Sequence, residues 1–254
     1  MPSSGSSPSR KKVTTHTFRQ KKQSGEPITM LTAYDYPTAL AMDQIGIDSI
    51  LVGDSLGMVV LGYETTLPVT MEDMLHHCRA VARGAHYALL IGDMPFMSYQ
   101  ASVADAVRNA GRFLQEAGMD AVKLEGGRER LDVVRAIVGA GIPVIGHLGL
   151  TPQSVHQLGG FRAQGRTLPA ARRLLEDALQ LQVAGCFVGL FERFTPKFVR
   201  KYANLHAEMA RAFSEYIQDV EKGDFPGPEH TIDMPEEEWQ ALMAEIEPFA
   251  SQGG

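Results

Sequence analysis

The 254-residue sequence predicts an α/β chain on a parallel sheet, of the (β/α)8 TIM-barrel type but short of a full barrel by about two β/α units. Three observations predict it. Short, near-continuous Val/Ile/Leu runs alternate with longer stretches of helical periodicity, the pattern of parallel strands buried on both faces. Polar residues cluster just after the runs, where such a barrel assembles its active site. A complete barrel of about 250 residues allots roughly 30 to each unit, and only six runs can be found here.

Residues 1–25 hold six basic side chains (Arg10, Lys11, Lys12, Arg19, Lys21, Lys22) and no acid. They read as a flexible basic N-terminal tail and lead-in, its first ten residues having tail composition. The acid-free, Ser- and Arg-containing start also resembles an organelle transit peptide, but it shows no amphipathic apolar face. The runs follow at residues 28–35, 48–54, 88–95, 120–127 and 143–150, with a stub at 185–188. Helical stretches fill the gaps at 37–46, 70–85, 101–118, 128–140 and 167–184, the second opened by Thr70 as N-cap with Asp73 three residues on.

After Val188 no seventh or eighth strand is visible, so the fold is an incomplete barrel or something expected has been lost. Thr195-Pro196 starts a helix predicted over about 196–220, with Phe198, Tyr202, Leu205 and Met209 on one face. Residues 26–220 are therefore predicted to form one barrel domain. The acidic extension 221–254 carries nine acids against Lys222 and a short helix after Met234-Pro235, with Trp239, Leu242, Met243 and Ile246 on one face.

Composition narrows the class. The chain is 44% hydrophobic and 21% charged, with 25 glycines against 7% aromatic residues, which suits many strand-to-helix turns around an aliphatic core. Thirty acidic against 24 basic residues argue against a nucleic-acid footprint. Cys78 and Cys186 have no metal-ligand spacing and are too few for a disulfide scaffold. No apolar run approaches the roughly 20 residues of a membrane span, so the expectation is a soluble, cytoplasmic protein.

Asp54 ends the second run and Asp93 falls in the third, each after a Gly expected to give the backbone freedom, and Glu125 lies near the end of the fourth. Three carboxylates from consecutive strand ends suit a hard, oxygen-seeking Mg²⁺ with positions left for substrate oxygens. Strand alternation points Lys123 and Glu125 to one face, and His147 joins them if the register holds. Each has a blander reading: an Asp after Gly is more often a cap or turn residue, a Lys–Glu pair can be structural, and a lone His is usually satisfied core. The consecutive His76, His77 and Cys78 fan around a helix, and the twelve methionines fill core gaps.

The blocks TAYDYPTA (32–39), VGDSLGMVVLGYETTLPVTMEDMLHH (52–77), IGDMPFMSY (91–99), VKLEGG (122–127) and GHLGLTPQSVHQLGGFRAQG (146–165) resemble the signature blocks of ketopantoate hydroxymethyltransferase. The resemblance covers about residues 11–188 and resumes through 189–235. It implies a Mg²⁺-dependent (β/α)8 barrel, oligomeric in the family, that moves a one-carbon unit from 5,10-methylenetetrahydrofolate to 3-methyl-2-oxobutanoate, giving ketopantoate for pantothenate synthesis. It also implies that Asp54, Asp93 and Glu125 hold the metal and that Ser55 and Lys123 hold the keto acid; with Asp54 and Asp93 counted beside these as substrate-binding, Lys123 and the His147 of the strand-register reading are the candidate catalytic residues.

The sequence departs from the family's pattern at Val188–Gly189, where about 50 residues, close to two units, are absent. The family's proposed general-base Glu falls in that gap. Glu192 could substitute, but GLFERF matches the family's post-barrel segment. Three functions follow: an active member of this family, an impaired paralogue or subunit that keeps the metal and keto-acid site, or another Mg²⁺-dependent lyase or mutase acting through enolates.

Overall fold

The structure is a computed structural model that describes residues 10–160, 164–165 and 167–186, the backbone of 188–192, and isolated positions between 214 and 240. Two compact units divide the chain, residues 1–194 and 195–254. The boundary therefore falls inside the predicted 26–220 domain. In the second unit a single turn of 3-10 helix, Pro228–His230, is described. The predicted helices over 196–220 and after Pro235 lie almost wholly outside the described residues.

The first unit is built on six parallel strands hydrogen-bonded in chain order: β1 Met30–Thr32, β2 Ser49–Val52, β3 Leu89–Asp93, β4 Ala121–Glu125, β5 Val144–Gly149 and β6 Val188–Glu192. Every predicted run carries one. β2, β3 and β4 are buried at each position, which is why they read as unbroken apolar runs rather than alternating ones. β6 begins at the last residue of the predicted stub and continues to Glu192, pairing Gly149 with Glu192 in register. The junction at Val188–Gly189 is thus inside a strand. The apolar Gly189-Leu190-Phe191 run extends along the free backbone groups of β5, and Glu192 ends the sheet instead of following it.

Side-chain alternation gives the sheet two unlike faces. On one, Ile50, Val52, Leu90, Val122, Leu124, Val144 and Leu148 join the large core cluster formed with the helices. These helices are α2 Tyr36–Ile45, α4 Met71–Gly84, α5 Val103–Ala117, α6 Leu131–Gly139 and α8 Leu168–Val183, with short turns α3 Leu56–Val59 and α7 Val155–Leu158 between strands and helices. Thr70 and Asp73 form the expected reciprocal cap on α4. The stretch predicted as one helix over 128–140 opens as a 3-10 turn, Arg128–Arg130, because Gly126 enters it at φ 118 and Glu129 turns back to accept from the Gly127 N–H at 3.0 Å.

On the other face Leu51, Leu89, Ile91, Ala121 and Ile145 form a second cluster around Phe18. Phe18 comes from α1 Thr15–Ser24, a helix within the stretch predicted to be a basic lead-in. Three of the six basic residues there are bonded into the fold. Lys12 pairs with Asp120 at 2.6 Å, Lys21 with Asp48 at 2.7 Å, and Arg10 donates to the carbonyls of Asp43 and Ile47. They fasten α1 under the N-terminal ends of the strands, where an apolar plug covers the lower half of this face.

Candidate active site

Toward the C-terminal ends of the strands, the face that carries Phe18 below turns titratable. Asp93 closes β3, Lys123 and Glu125 lie two apart on β4, and His147 lies on β5; all are at most 3% exposed. The register sets Asp93 beside Lys123 and Glu125 beside His147. Asp54 enters from the loop between β2 and α3, two residues past the strand. Alternation along the strands sets Asp93, Lys123, Glu125 and His147 at one end of one face, and the β2–α3 loop brings Asp54 to them.

Their contacts form two linked groups. Lys123 Nζ lies 2.7 Å from Asp93 Oδ2, and the backbone N–H of Asp54 donates to the same oxygen at 3.2 Å. Asp93 Oδ1 is buried with no hydrogen-bond partner among the described residues. Glu125 Oε1 stands 3.2 Å from His147 Nδ1, while its Oε2 accepts from the backbone N–H of Gln153 at 3.0 Å.

Gln153 joins the groups. Its Nε2 donates to Asp54 Oδ2 and to the Met94 carbonyl, both at 2.9 Å, and its Oε1 accepts from the Tyr99 hydroxyl at 2.7 Å. Tyr99 in turn accepts from the Glu125 N–H at 3.1 Å. Sequence reasoning singled out neither Gln153 nor Tyr99, although both fall in blocks it quoted. It also passed over Tyr34, whose hydroxyl shares a 2.9 Å hydrogen bond with the predicted keto-acid residue Ser55.

The glycines before the two aspartates act through space. Neither Gly53 nor Gly92 has positive φ. A Cβ on Gly53 would stand 2.8 Å from Ser55 Oγ, and one on Gly92 would stand 2.3 Å from Phe113 Cδ1. The expectation of backbone freedom at these positions is corrected accordingly: the first glycine leaves room for Ser55, and the second lets α5 approach the sheet. His77 Nδ1 lies 2.7 Å from the Tyr34 carbonyl, and Cys78 is core.

The electrostatics call for a cation. Burial first, then the neighbouring charge of Asp93, pushes the Asp54 carboxyl up to about 8. Burial alone would push Lys123 down, but Asp93, Glu125 and Asp54 hold its ammonium above the ordinary lysine value. Three carboxylates thus face one ammonium in a dry site, and one carboxylate oxygen has no partner. That donor set fits a hard divalent ion held by one or two carboxylates. A ready-made cage of three or more His, Cys, Asp or Glu ligands does not occur among the described residues. Lys123 and Gln153 instead occupy carboxylate oxygens of Asp93, Asp54 and Glu125.

Beside Glu125, Tyr99 and Gln153 opens a cleft of ≈ 1220 Å³. Among the described residues no helix is long and apolar enough to cross a membrane.

Comparisons with known proteins agree on the chain's relatives. The ketopantoate hydroxymethyltransferase family model matches in two segments, residues 12–192 and 187–228. A 3-methyl-2-oxobutanoate hydroxymethyltransferase of Syntrophus aciditrophicus (strain SB) is 51% identical over 264 residues, covering 87% of this chain and 97% of that protein. A protein of the same name from Enterococcus faecalis (strain ATCC 700802 / V583) is 49% identical over 261 residues, covering 86% and 95%. Among solved structures, a phosphonopyruvate hydrolase superposes with a TM-score of 0.59 at 13% identity, covering 92% of this chain and 98% of that one. A 2,3-dimethylmalate lyase of the PEP mutase/isocitrate lyase superfamily gives 0.57 at 15% identity, covering 96% and 97%. At such identities these two similarities speak for the fold alone.

Proposed function

The chain belongs to the ketopantoate hydroxymethyltransferase family of one-carbon transferases, and we propose that it transfers a hydroxymethyl group from 5,10-methylenetetrahydrofolate to 3-methyl-2-oxobutanoate at the Asp54–Asp93–Lys123–Glu125 centre. The observation that carries this reading is the buried excess of carboxylate charge around a single ammonium, with Asp93 Oδ1 unpartnered. Asp54, Asp93 and Glu125 would hold Mg²⁺, which when bound supplies Lewis-acid polarisation of the keto group and favours loss of the C3 proton.

The remaining roles fall to this chain's own side chains. Lys123 meets the anionic carboxylate or enolate oxygen of the keto acid, and Ser55, fixed by Tyr34, offers it a hydroxyl. Gln153 and Tyr99 hold Asp54 and Glu125 in place, so that substrate binding demands little rearrangement. His147 orients Glu125 from the neighbouring strand. Burial of the centre excludes water from the reacting carbon.

A second reading concerns how much catalysis this chain retains. The family model matches as two pieces that meet at 187–192, and the relatives align over more positions than this chain contributes. Both facts support an internal gap of about two β/α units at that point, by the allotment of roughly 30 residues each. The gap would remove the family's general base, leaving a protein that binds keto acid and metal but takes the C3 proton poorly.

Isothermal titration tests the site. Binding of 3-methyl-2-oxobutanoate should require Mg²⁺ and be lost in Asp54→Ala and Asp93→Ala; unchanged binding in both variants would contradict the assignment.

A further inference from the structure

The cleft beside the centre is larger than a five-carbon keto acid can fill. Its ≈ 1220 Å³ exceeds the roughly 300–1,000 Å³ of sites for drug-sized ligands. Glu125, Tyr99 and Gln153 belong to both cleft and centre, so a ligand lying in the cleft can present one end to the reacting carbon. Phe96, Leu67 and Leu148 add apolar wall. Two arginines, Arg130 and Arg173, also line the cleft.

Neither arginine is in an ion pair within the described residues, whereas Arg128 beside them is committed to Asp177 at 2.6 Å and Glu176 at 3.2 Å. Asp177, the buried acid of the cleft, is thereby neutralised. Glu129, the other acid there besides Glu125, is turned onto the Gly127 N–H. Arg130 is also placed, its guanidinium carbon lying 5.9 Å from the centroid of the Tyr99 ring, whose hydroxyl is fixed by Gln153. Two guanidinium groups without an acid partner, in a cleft whose walls are part polar and part apolar, suit a long ligand with an aromatic body and a carboxylate end, since the planar fork of Arg takes carboxylates bidentately.

We propose that Arg130 and Arg173 bind the glutamyl carboxylates of the folate cosubstrate and set its reach into the centre. This rests on the reading that methylenetetrahydrofolate is the donor, and it names the residues that recognise the donor's anionic end.

The probes are 5-formyltetrahydrofolate and the corresponding pteroate lacking the glutamyl group, titrated into the full chain with Mg²⁺ present. The glutamyl-bearing probe should bind about tenfold or more tighter, the scale of a charge-assisted contact. That preference should fall toward one in Arg130→Gln and in Arg173→Gln, and recover in part in Arg130→Lys, while Mg²⁺-dependent binding of 3-methyl-2-oxobutanoate stays as in the parent. Equal binding of the two probes by the parent chain, or a preference that survives both substitutions, would overturn the assignment of the arginines and leave the folate reading standing. If neither probe bound to protein that still bound keto acid, the folate reading and this inference would fall together.

Discussion

Gln153 ties the site together without being charged. Both of its amide atoms and its backbone N–H are committed, to Asp54, Met94, Tyr99 and Glu125. Replacing it by Leu takes the donor from Asp54 Oδ2 and from the buried Met94 carbonyl, at about 1–3 kcal/mol for each unsatisfied group. Gln153→Leu should therefore lower the melting temperature and weaken Mg²⁺-dependent keto-acid binding by about tenfold or more; titration and thermal melts check both. Lys123→Ala should weaken keto-acid binding more than metal binding, because its ammonium meets the substrate's charge and its loss leaves Asp93 an unpaired acceptor for the cation. Asp54, Asp93, Lys123, Glu125 and His147 were legible because charge in a buried strand pattern is conspicuous and alternation assigns the face. Gln153 and Tyr99 were not, because neutral side chains declare no chemistry and their partners are remote: Gln153 is 99 residues from Asp54 and 54 from Tyr99.

At the scale of elements, Asp43 of α2 clamps the approach to β3 by accepting from the N–H groups of His86, Tyr87 and Ala88. Burial raises its pKa, but those three donors and Arg10 outweigh it, and the carboxyl is held below the ordinary 3.8. A depressed folded value means the contribution to stability is full above the unfolded pKa near 3.8 and is lost as pH falls through the folded one. Asp43→Asn should melt lower than the parent at neutral pH, with the difference shrinking below about pH 4; melts across pH check this, and a pH-independent difference would contradict it. Gly92→Ala drives a methyl into Phe113 and should cost about 1–3 kcal/mol in denaturant unfolding by forcing α5 off the sheet.

Strands and most helices were legible from periodicity and caps such as Thr70/Asp73. Helix α1 was not. It is lysine-rich, buries Phe18 alone, and its cap pairs Thr14 with Thr17 where an acid would have been the recognisable partner. β6 shows in the sequence only as a four-residue stub, because its length comes from pairing along β5 out to Glu192.

The sheet of the first unit is, among the described residues, open at both sides. Among the described residues β1 pairs only with β2 and β6 only with β5, and open edges invite further pairing. Helix α8 adds exposed apolar side chains at Leu168, Leu175, Leu179 and Val183, the last 84% exposed. Together these predict association, which sedimentation should show as concentration-dependent oligomers that diminish in Leu175→Glu combined with Val183→Lys; a cooperatively melting monomer would contradict it. On the proposed function, the chain keeps the enolising centre and lacks the family's proton acceptor. Proton NMR in deuterated buffer measures it directly as exchange at C3 of 3-methyl-2-oxobutanoate. A general base contributes about 10²–10⁴-fold, so the 254-residue chain should exchange far more slowly than the Syntrophus aciditrophicus relative. The residual rate should require Mg²⁺ and vanish in Asp54→Ala. Exchange at the relative's rate, or a residual rate indifferent to Mg²⁺ and to Asp54, would contradict the account.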